Sequence, residues 1–251
     1  MKNLDWLFKT PIAHRGLHNE SVAENSYTAF AAAIDKGYSI ETDVHFSADG
    51  KLVVFHDFTL KRLCGVDRKI TSMTVSELKQ LRLMNTQDTI MTLDELLKLV
   101  DGKVGLLIEI KFRMQSIYKK ISEEVYKAIK DYKGNVAIQS FSPSVVRWFK
   151  DNAPEIPRGM LASGYQNLNI PQLMKKGMRL LNRLFGAKIV KMTEPDFIAY
   201  NILSFPNPRL QALKEKGMPL LTWTVNKKEL LTSAQEYADN IIFENIEVIN
   251  I

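Results

Sequence analysis

The chain has too little cysteine to build a disulfide framework. Cys64 is the only cysteine among 251 residues, which excludes an intrachain disulfide and a CxxC metal site. Long hydrophobic runs are also missing, since no apolar segment approaches the roughly 20 residues that a membrane-spanning helix needs. The apolar patch at residues 6–8 is too short for a secretion signal. We therefore expect a soluble protein of a reducing compartment, the cytoplasm.

Acidic residues are too few to balance the basic ones. The formal net charge is +6, with 34 lysines and arginines against 28 aspartates and glutamates. A positive field favours association with anionic ligands or surfaces and says little about fold. Hydrophobic residues make up 45% and charged residues 25% of the chain, as in ordinary globular proteins. We expect an ordered chain whose charge suits an anionic ligand.

Short apolar, β-branched segments alternate with longer segments of helical periodicity. This alternation is typical of strand-helix units around a parallel sheet. The predicted strands are residues 11–14, 39–46, 52–55, 104–110, 136–140, 158–162, 197–202, 219–225 and 240–243. The segment 52–55 follows its predecessor after a turn too short for a parallel crossover, which predicts a hairpin. The remaining strands predict a (β/α)8 TIM-type barrel, and the chain length suits one domain over residues 1–251.

Two connections of this predicted barrel are irregular. Residues 58–91 form a much longer connection than the usual strand-to-helix loop, which predicts a small insertion after strand two, a cap over the site. Residues 245–251 leave little room for a last helix, so we expect that helix to be short or missing. Either the barrel is open on that side or residues 3–8 cover it.

All four histidines lie within the first 56 residues. His14 closes an apolar strand and precedes Arg15, so an imidazole and a guanidinium are delivered to the end of strand one. His56 ends the apolar run 52–55 and brings a second imidazole beside strand two. Two imidazoles can divide the general-base and general-acid roles near neutral pH.

Carboxylates stand inside strands that are otherwise apolar. Glu41 and Asp43 are two residues apart and therefore share one face of strand two, and Glu109 shares a face with Lys111 in the next barrel strand. A buried carboxylate is costly unless it is paired or coordinates a cation. All-oxygen ligation favours Mg²⁺ or Ca²⁺ over zinc. The alternative is an interstrand network of salt bridges.

Three further residues lie outside these groups. His18 has no partner at a strand end, and we interpret it as a surface loop residue. His45 shares the face of the carboxylates but lies beyond them, where it either contacts the site residues or is exposed to solvent. Trp223, late in a predicted strand, either flanks the substrate or packs in the barrel.

A series of short motifs, in order along nearly the whole chain, resembles the glycerophosphodiester phosphodiesterase family. The motifs are Ala13-His14-Arg15-Gly16, Glu24-Asn25-Ser26, Glu41-Thr42-Asp43-Val44, Asp49-Gly50, Val53-Val54-Phe55-His56-Asp57, Thr92-Leu93-Asp94-Glu95, Glu109-Ile110-Lys111, Gln139-Ser140-Phe141 and Trp223-Thr224-Val225-Asn226. After the last strand the chain reads Phe243-Glu244-Asn245-Ile246, where the family commonly has an acidic-Asn-Pro turn. This departure leaves the alcohol part of the substrate open.

The resemblance implies hydrolysis of small glycerophosphodiesters to a glycerol phosphate and an alcohol, with no nucleic-acid partner. The implied ligands of one divalent cation, Mg²⁺ or Ca²⁺, are Glu41, Asp43 and Glu109. The implied phosphate-binding residues are Arg15 and Lys111. The implied acid/base pair is His14 and His56.

Alternatives remain for the substrate and for catalysis. Basic and apolar residues interleave over 172–191, which predicts either an outer barrel helix or weak contact with an anionic membrane. Membrane contact would favour a lysophospholipid substrate. A non-catalytic barrel that binds a phosphorylated ligand is a further alternative. An aldolase with Lys111 as a Schiff base is disfavoured, because adjacent carboxylates stabilise the charged ammonium.

Overall fold

The computed structural model describes residues 2–164 and 186–248. The strands are β1 (Ile12–His14), β2 (Ser39–Phe46), β3 (Leu52–Val54), β4 (Leu106–Ile110), β5 (Val136–Ser140), β6 (Arg158–Ala162), β7 (Phe197–Asn201), β8 (Leu220–Val225) and β9 (Asn240–Phe243). The helices are α1 (Asp5–Lys9), α2 (Tyr27–Asp35), α3 (Lys61–Cys64), α4 (Val75–Leu78), α5 (Leu93–Val100), α6 (Tyr118–Ile129), α7 (Pro143–Asn152), α8 (described over 186–193), α9 (Pro208–Glu215) and α10 (Lys228–Tyr237). Short 3₁₀ turns lie at Ile70–Ser72, Gln115–Ile117 and Ile202–Ser204.

Parallel strands close into a barrel in the order β1-β2-β4-β5-β6-β7-β8-β9, because β1 pairs with both β2 and β9. The ninth strand, β3, pairs antiparallel with the carboxyl half of β2. The turn between β2 and β3 is too short for a parallel crossover, so the chain reverses there. The predicted (β/α)8 TIM-type barrel is confirmed, and so is the hairpin.

Alternation along the strands divides the barrel interior into two levels. Inward side chains near the amino ends are apolar, and those at the carboxyl ends are polar, as Leu107 and Glu109 of β4 illustrate. The buried members of the apolar level are Trp6, Leu7, Ile12, Leu107, Ala137, Leu161, Phe197, Ala199, Leu221 and Ile242. The packed lower level supports the polar groups above it and keeps water from reaching them from below.

Helix α1 covers the amino-terminal end of the barrel. The Asn240 side chain donates hydrogen bonds to the carbonyl oxygens of Leu7 at 2.8 Å and Thr10 at 2.7 Å. The Trp6 ring lies against Gly105, where a Cβ atom would come within 2.0 Å of the indole. Only glycine allows this approach. Of the two arrangements expected at the last strand, the structure has a closed barrel, with the amino-terminal residues on its floor.

The outer helices pack on the barrel through apolar stripes. Thr92 begins α5 with a capping box to Glu95, and α5 then buries leucines and a valine at helical spacing. The chain after β9 contains no helix over 244–248, the part of the tail that the structure describes. The expected short or missing last helix agrees with this.

The insertion at residues 58–91 has an apolar core of its own. Its helices α3 and α4 bury Leu63 and Leu78 in a cluster that also includes Val53 and Phe55 from the hairpin. Residues 58–91 contribute no side chain to the lining of the candidate site within the described chain. A role as a cap over bound substrate therefore stays a prediction.

The basic segment at 172–191 lies for the most part outside the described residues. Residues 186–191 belong to α8. Within residues 2–164 and 186–248, no helix has the length and apolar character needed to cross a bilayer. The membrane contact and the cytoplasmic location both stay predictions.

Candidate active site

The carboxyl ends of adjacent strands bring the predicted site residues together. Register places His14 of β1 beside Glu41 of β2, and Asp43 beside Glu109 of β4. A cleft opens above them. The predicted site residues that line it are His14, Arg15, Glu41, His56, Glu109, Lys111 and Trp223. Asp43 is buried directly next to this cleft. All of the predicted side chains therefore lie at one end of the barrel.

Glu41, Asp43 and Glu109 form a compact acidic cluster. One carboxylate oxygen from each lies within 4.8 Å of the others, and all three residues are buried. Gln139 donates a hydrogen bond of 3.2 Å to Oε1 of Glu41, and Asn25 donates one of 3.0 Å to Oδ2 of Asp43. These amides fix the orientation of the carboxylates.

Two cationic side chains enter this cluster without neutralising all of it. The Lys111 ammonium lies 3.2 Å from Oδ1 of Asp43 and 3.4 Å from Oε1 of Glu109. Nε of Arg15 lies 3.4 Å from Oδ2 of Asp43. The salt bridges of the alternative interpretation therefore exist, but they centre on Asp43. Burial alone would raise the pKa of Asp43, yet Lys111 and Arg15 outweigh it and hold that pKa well below its usual range.

The other two carboxylates lack sufficient positive charge. Burial, and then the neighbouring Asp43 and Glu109, raise the pKa of Glu41 well above its ordinary value. Burial and Asp43 likewise raise the pKa of Glu109 to about 8. Oε2 of Glu41 is buried and has no hydrogen-bond partner among the described residues. Converging oxygens, an unsatisfied oxygen and excess negative charge fit a hard divalent cation such as Mg²⁺ or Ca²⁺.

His14 is held by a carboxylate that the sequence analysis did not assign to the site. Nδ1 of His14 lies 2.6 Å from Oε2 of Glu244, while its Nε2 lies 3.9 Å from Oε2 of Glu41. A proton on Nδ1 donated to Glu244 leaves the Nε2 lone pair on the cleft side. Burial lowers the pKa of His14, which favours the neutral ring. The signal for Glu244 was present, because a closed barrel sets the residue after its last strand beside the end of β1.

His56 has the same kind of partner. Its Nδ1 lies 2.6 Å from Oδ1 of Asp57, and burial lowers the pKa of its imidazole. Nε2 of His45 donates a hydrogen bond of 3.0 Å to the carbonyl oxygen of His56. His45 is itself buried, so of the two interpretations of His45 solvent exposure is wrong and contact with a site residue is right. Burial also lowers the pKa of His45 to about 4, so it stays neutral.

His18 lies close to Glu244, and the interpretation of His18 as a surface loop residue is wrong. Its side chain is only 13% exposed, and Nε2 lies 3.5 Å from Oε2 of Glu244. This nitrogen has no hydrogen-bond partner within the described chain. His18 does not lie at the end of a predicted strand, and it reaches the barrel because a turn after β1 brings it back.

Backbone geometry after β1 is adapted to hold Arg15 over the cluster. Arg15 has a φ of 56°, in the left-handed region of the backbone that residues other than glycine rarely adopt. Gly16 follows with a φ of 80°, and a Cβ there would lie 2.8 Å from the backbone of Ala29. This turn sets the Arg15 amide 2.9 Å from the carbonyl oxygen of Glu41. The strained turn thus delivers the guanidinium to the cleft.

Arg62 of α3 is a further residue that the sequence analysis missed. Its guanidinium donates to Oδ2 of Asp57 at 2.7 Å and to both oxygens of Glu24 at 2.7 Å. Glu24 in turn accepts a hydrogen bond of 2.8 Å from Arg15. Arg62 therefore links the carboxylate behind His56 to the carboxylate behind Arg15. No local pattern marks it, because its role depends on how the insertion folds.

The opposite side of the cleft is aromatic. Phe141 and Trp223 also line the cleft, and they pack edge to face with ring centroids 5.6 Å apart. Nε1 of Trp223 is buried and lacks a hydrogen-bond partner among the residues described. Trp223 therefore flanks the cleft and retains an unused hydrogen-bond donor.

Known proteins resemble this chain over nearly its full length. The model of the glycerophosphoryl diester phosphodiesterase family matches residues 14–247. A glycerophosphodiester phosphodiesterase of Caldanaerobacter subterraneus subsp. tengcongensis is 34% identical over 230 residues, or 87% of this chain and 86% of the relative.

Solved structures share the fold. A glycerophosphodiester phosphodiesterase of Thermotoga maritima, 28% identical, superposes with a TM-score of 0.69 over 93% of this chain and 94% of its own. An Oleispira antarctica phosphodiesterase, solved with its product sn-glycerol-3-phosphate, is 22% identical. It superposes with a TM-score of 0.78 over 95% of this chain and 93% of its own.

Proposed function

The chain belongs to the glycerophosphoryl diester phosphodiesterase family, and we propose that it hydrolyses small glycerophosphodiesters in a reaction that needs one divalent cation. The products are a glycerol phosphate and an alcohol. The observation that carries this proposal is the buried acidic cluster of Glu41, Asp43 and Glu109, whose ligand atoms lie within 4.8 Å of one another beside two imidazoles.

The phosphate binds where cationic groups converge. A Mg²⁺ or Ca²⁺ ion held by the acidic cluster would supply Lewis-acid stabilisation to the charge on the phosphodiester oxygens. Arg15 and Lys111 line the cleft beside this cluster and contribute two further positive charges. Burial alone would lower the pKa of Lys111, but Asp43 and Glu109 outweigh it and raise that pKa, so the ammonium stays charged.

Proton transfer is assigned to His14 and His56. Each ring uses Nδ1 to bind a carboxylate, which leaves Nε2 to exchange protons with bound substrate. One imidazole takes the proton of a glycerol hydroxyl or of a water, and the other protonates the departing alkoxide. The base starts as a neutral ring, which the lowered pKa values of both histidines favour, and the acid must first take up a proton on Nε2 to become the imidazolium.

The test is an assay of product formation on glycerophosphodiesters that differ in their alcohol. We expect hydrolysis with Mg²⁺ or Ca²⁺, loss of activity with a chelator, and recovery when the cation is returned. Glu109→Gln should weaken cation binding. The cation concentration that gives the half-maximal rate should rise by at least about tenfold. Full activity in excess chelator would contradict the proposal, and Glu95→Gln on the distant helix α5 serves as the control.

A lysophospholipid substrate is the second candidate, and exposed apolar residues favour it. Met114, Phe141 and Leu203 are 64%, 48% and 57% exposed, and each follows a barrel strand at the end that holds the cleft. Exposed apolar groups around a cleft suit an acyl chain better than a small polar alcohol. The test compares the kcat/KM of a lysophospholipid with that of its deacylated diester, in wild type and in Phe141→Ser. This comparison decides between the two substrate classes. A lysophospholipid that is not cleaved at all removes this candidate.

A further inference from the structure

A second group of metal-ligating side chains lies next to the acidic cluster and differs from it in chemistry. His14, His18 and Glu244 each offer a ligand atom, and these atoms all lie within 4.8 Å of one another. Their side chains are 13%, 13% and 19% exposed. Two imidazole nitrogens and one carboxylate oxygen suit Zn²⁺ and its transition-metal neighbours, whereas the all-oxygen cluster suits Mg²⁺ or Ca²⁺.

The hydrogen-bonded pair of His14 and Glu244 does not explain why a nitrogen of His18 is buried beside it. His14 and Glu244 already satisfy each other through the contact of 2.6 Å. Nε2 of His18 lies 3.5 Å from the same oxygen of Glu244 and is buried without a hydrogen bond to any described residue. A buried polar atom that lacks a partner destabilises the folded protein. A cation coordinated between these atoms would satisfy that nitrogen.

We propose that His14, His18 and Glu244 form a binding site for a transition-metal dication such as Zn²⁺, separate from the acidic cluster, and that its occupation inhibits the enzyme. The site is open to an ion, because all three side chains are partly exposed. His18 does not line the substrate cleft, so it serves this site and not the reaction.

Inhibition follows from which nitrogen of the His14 ring carries the proton. Without the ion, Nδ1 carries the proton and donates a hydrogen bond to Glu244, and the Nε2 lone pair faces the cleft. Zn²⁺ takes the lone pair of Nδ1, so the single proton of the neutral ring moves to Nε2. A protonated Nε2 cannot accept another proton from the nucleophile. This consequence rests on the proposed function with His14 as its base, whereas binding of the ion does not.

Co²⁺ titration tests the site directly, because its visible absorption reports nitrogen and oxygen ligation. Excess Mg²⁺ is present throughout to fill the acidic cluster. We expect saturable binding in wild type, an affinity at least about tenfold weaker in His18→Gln, and an unchanged spectrum in the control Glu109→Gln. Equal Co²⁺ affinity in wild type and His18→Gln, or loss of the spectrum in Glu109→Gln, overturns the site.

Two further measurements separate ligand loss from a folding defect and from failure of the proposed function. In wild type, nitrogen NMR of the histidine rings should show the His14 proton move from Nδ1 to Nε2 when Zn²⁺ is added, and an unmoved proton overturns the inhibitory step. With Mg²⁺ present, Zn²⁺ should inhibit wild type, and His18→Gln should keep its activity and resist Zn²⁺. Equal inhibition of both proteins contradicts the proposal. If wild type hydrolyses no diester, the proposed function fails and the Co²⁺ titration still decides the site.

Discussion

Replacing Arg62 tests whether the insertion positions the active site. Arg62 donates to Asp57 and Glu24 at 2.7 Å, and these two carboxylates hold His56 and Arg15. Its side chain is 47% exposed, so solvent screens these contacts. We expect Arg62→Ala to lower the free energy of unfolding by only about 1 kcal/mol, as for an exposed ion pair in a network. Activity should fall further, by about 10-fold or more in kcat, because residues behind catalytic groups typically matter that much.

The pKa of Asp57 gives a readout that a loss of stability alone would not move. Burial alone would raise this pKa, but hydrogen bonds from Arg62 and His56 outweigh it and lower it from 3.8 to about 2. A lowered carboxyl pKa contributes stability that is complete above 3.8 and is lost as the pH falls toward about 2. In Arg62→Ala the pKa should rise, and this acid-side loss should begin at higher pH.

Arg68→Ala is the matched control. Arg68 lies in the same insertion, is 46% exposed and pairs at 3.7 Å with Glu77, away from the cleft. Arg62→Lys should recover only part of the activity, since an ammonium cannot bind two carboxylates in the bidentate way of a guanidinium. Steady-state kinetics, carbon NMR of Asp57 and urea unfolding measure these effects. Unchanged kcat and Asp57 pKa in Arg62→Ala, or an equal loss of kcat in Arg68→Ala, would refute the positioning role.

Three other changes have defined outcomes. His14→Ala should lower kcat by at least about 10²-fold with an unchanged circular dichroism spectrum, and a loss below tenfold would contradict its acid/base role. Gly105→Ala should lower the free energy of unfolding by about 1–3 kcal/mol, because the new Cβ would come within 2.0 Å of Trp6, while Gly186→Ala, where a Cβ would have no atom of the described residues within 4 Å, should not be destabilised. Burial raises the pKa of the Cys64 thiol to about 11, so alkylation should be slow near about pH 8 and should accelerate as the pH rises; fast alkylation there would contradict it.

The barrel could be predicted because its strands carry strong local signals. Runs of Leu and Ile, such as residues 106–108, continue into a carboxylate, and the two-residue period of a strand then fixes which side chains share a face. That rule alone pairs Glu41 with Asp43 and Glu109 with Lys111. The predicted bounds of β2, β5, β6 and β9 are those of the structure.

The rest of the site depends on contacts between distant segments. Glu244 reaches His14 only because β9 pairs with β1, and Arg62 reaches Glu24 only because the insertion folds onto the loop after β1. His18 returns to the barrel through a left-handed turn that follows β1. The predicted closed barrel implies the first of these contacts, because it sets the residue after β9 beside the end of β1, whereas residue type and spacing do not encode how the loops that carry Arg62 and His18 fold.

The most direct test of the cation site is a crystal structure of the protein with Mn²⁺ in place of Mg²⁺ and a bound glycerol phosphate, read by anomalous scattering. We predict a strong peak between the carboxylates of Glu41, Asp43 and Glu109, in contact with a phosphate oxygen. The Lys111 ammonium should then lie on the phosphate. Anomalous density only elsewhere, or a phosphate bound away from these three side chains, would contradict the proposed catalytic site.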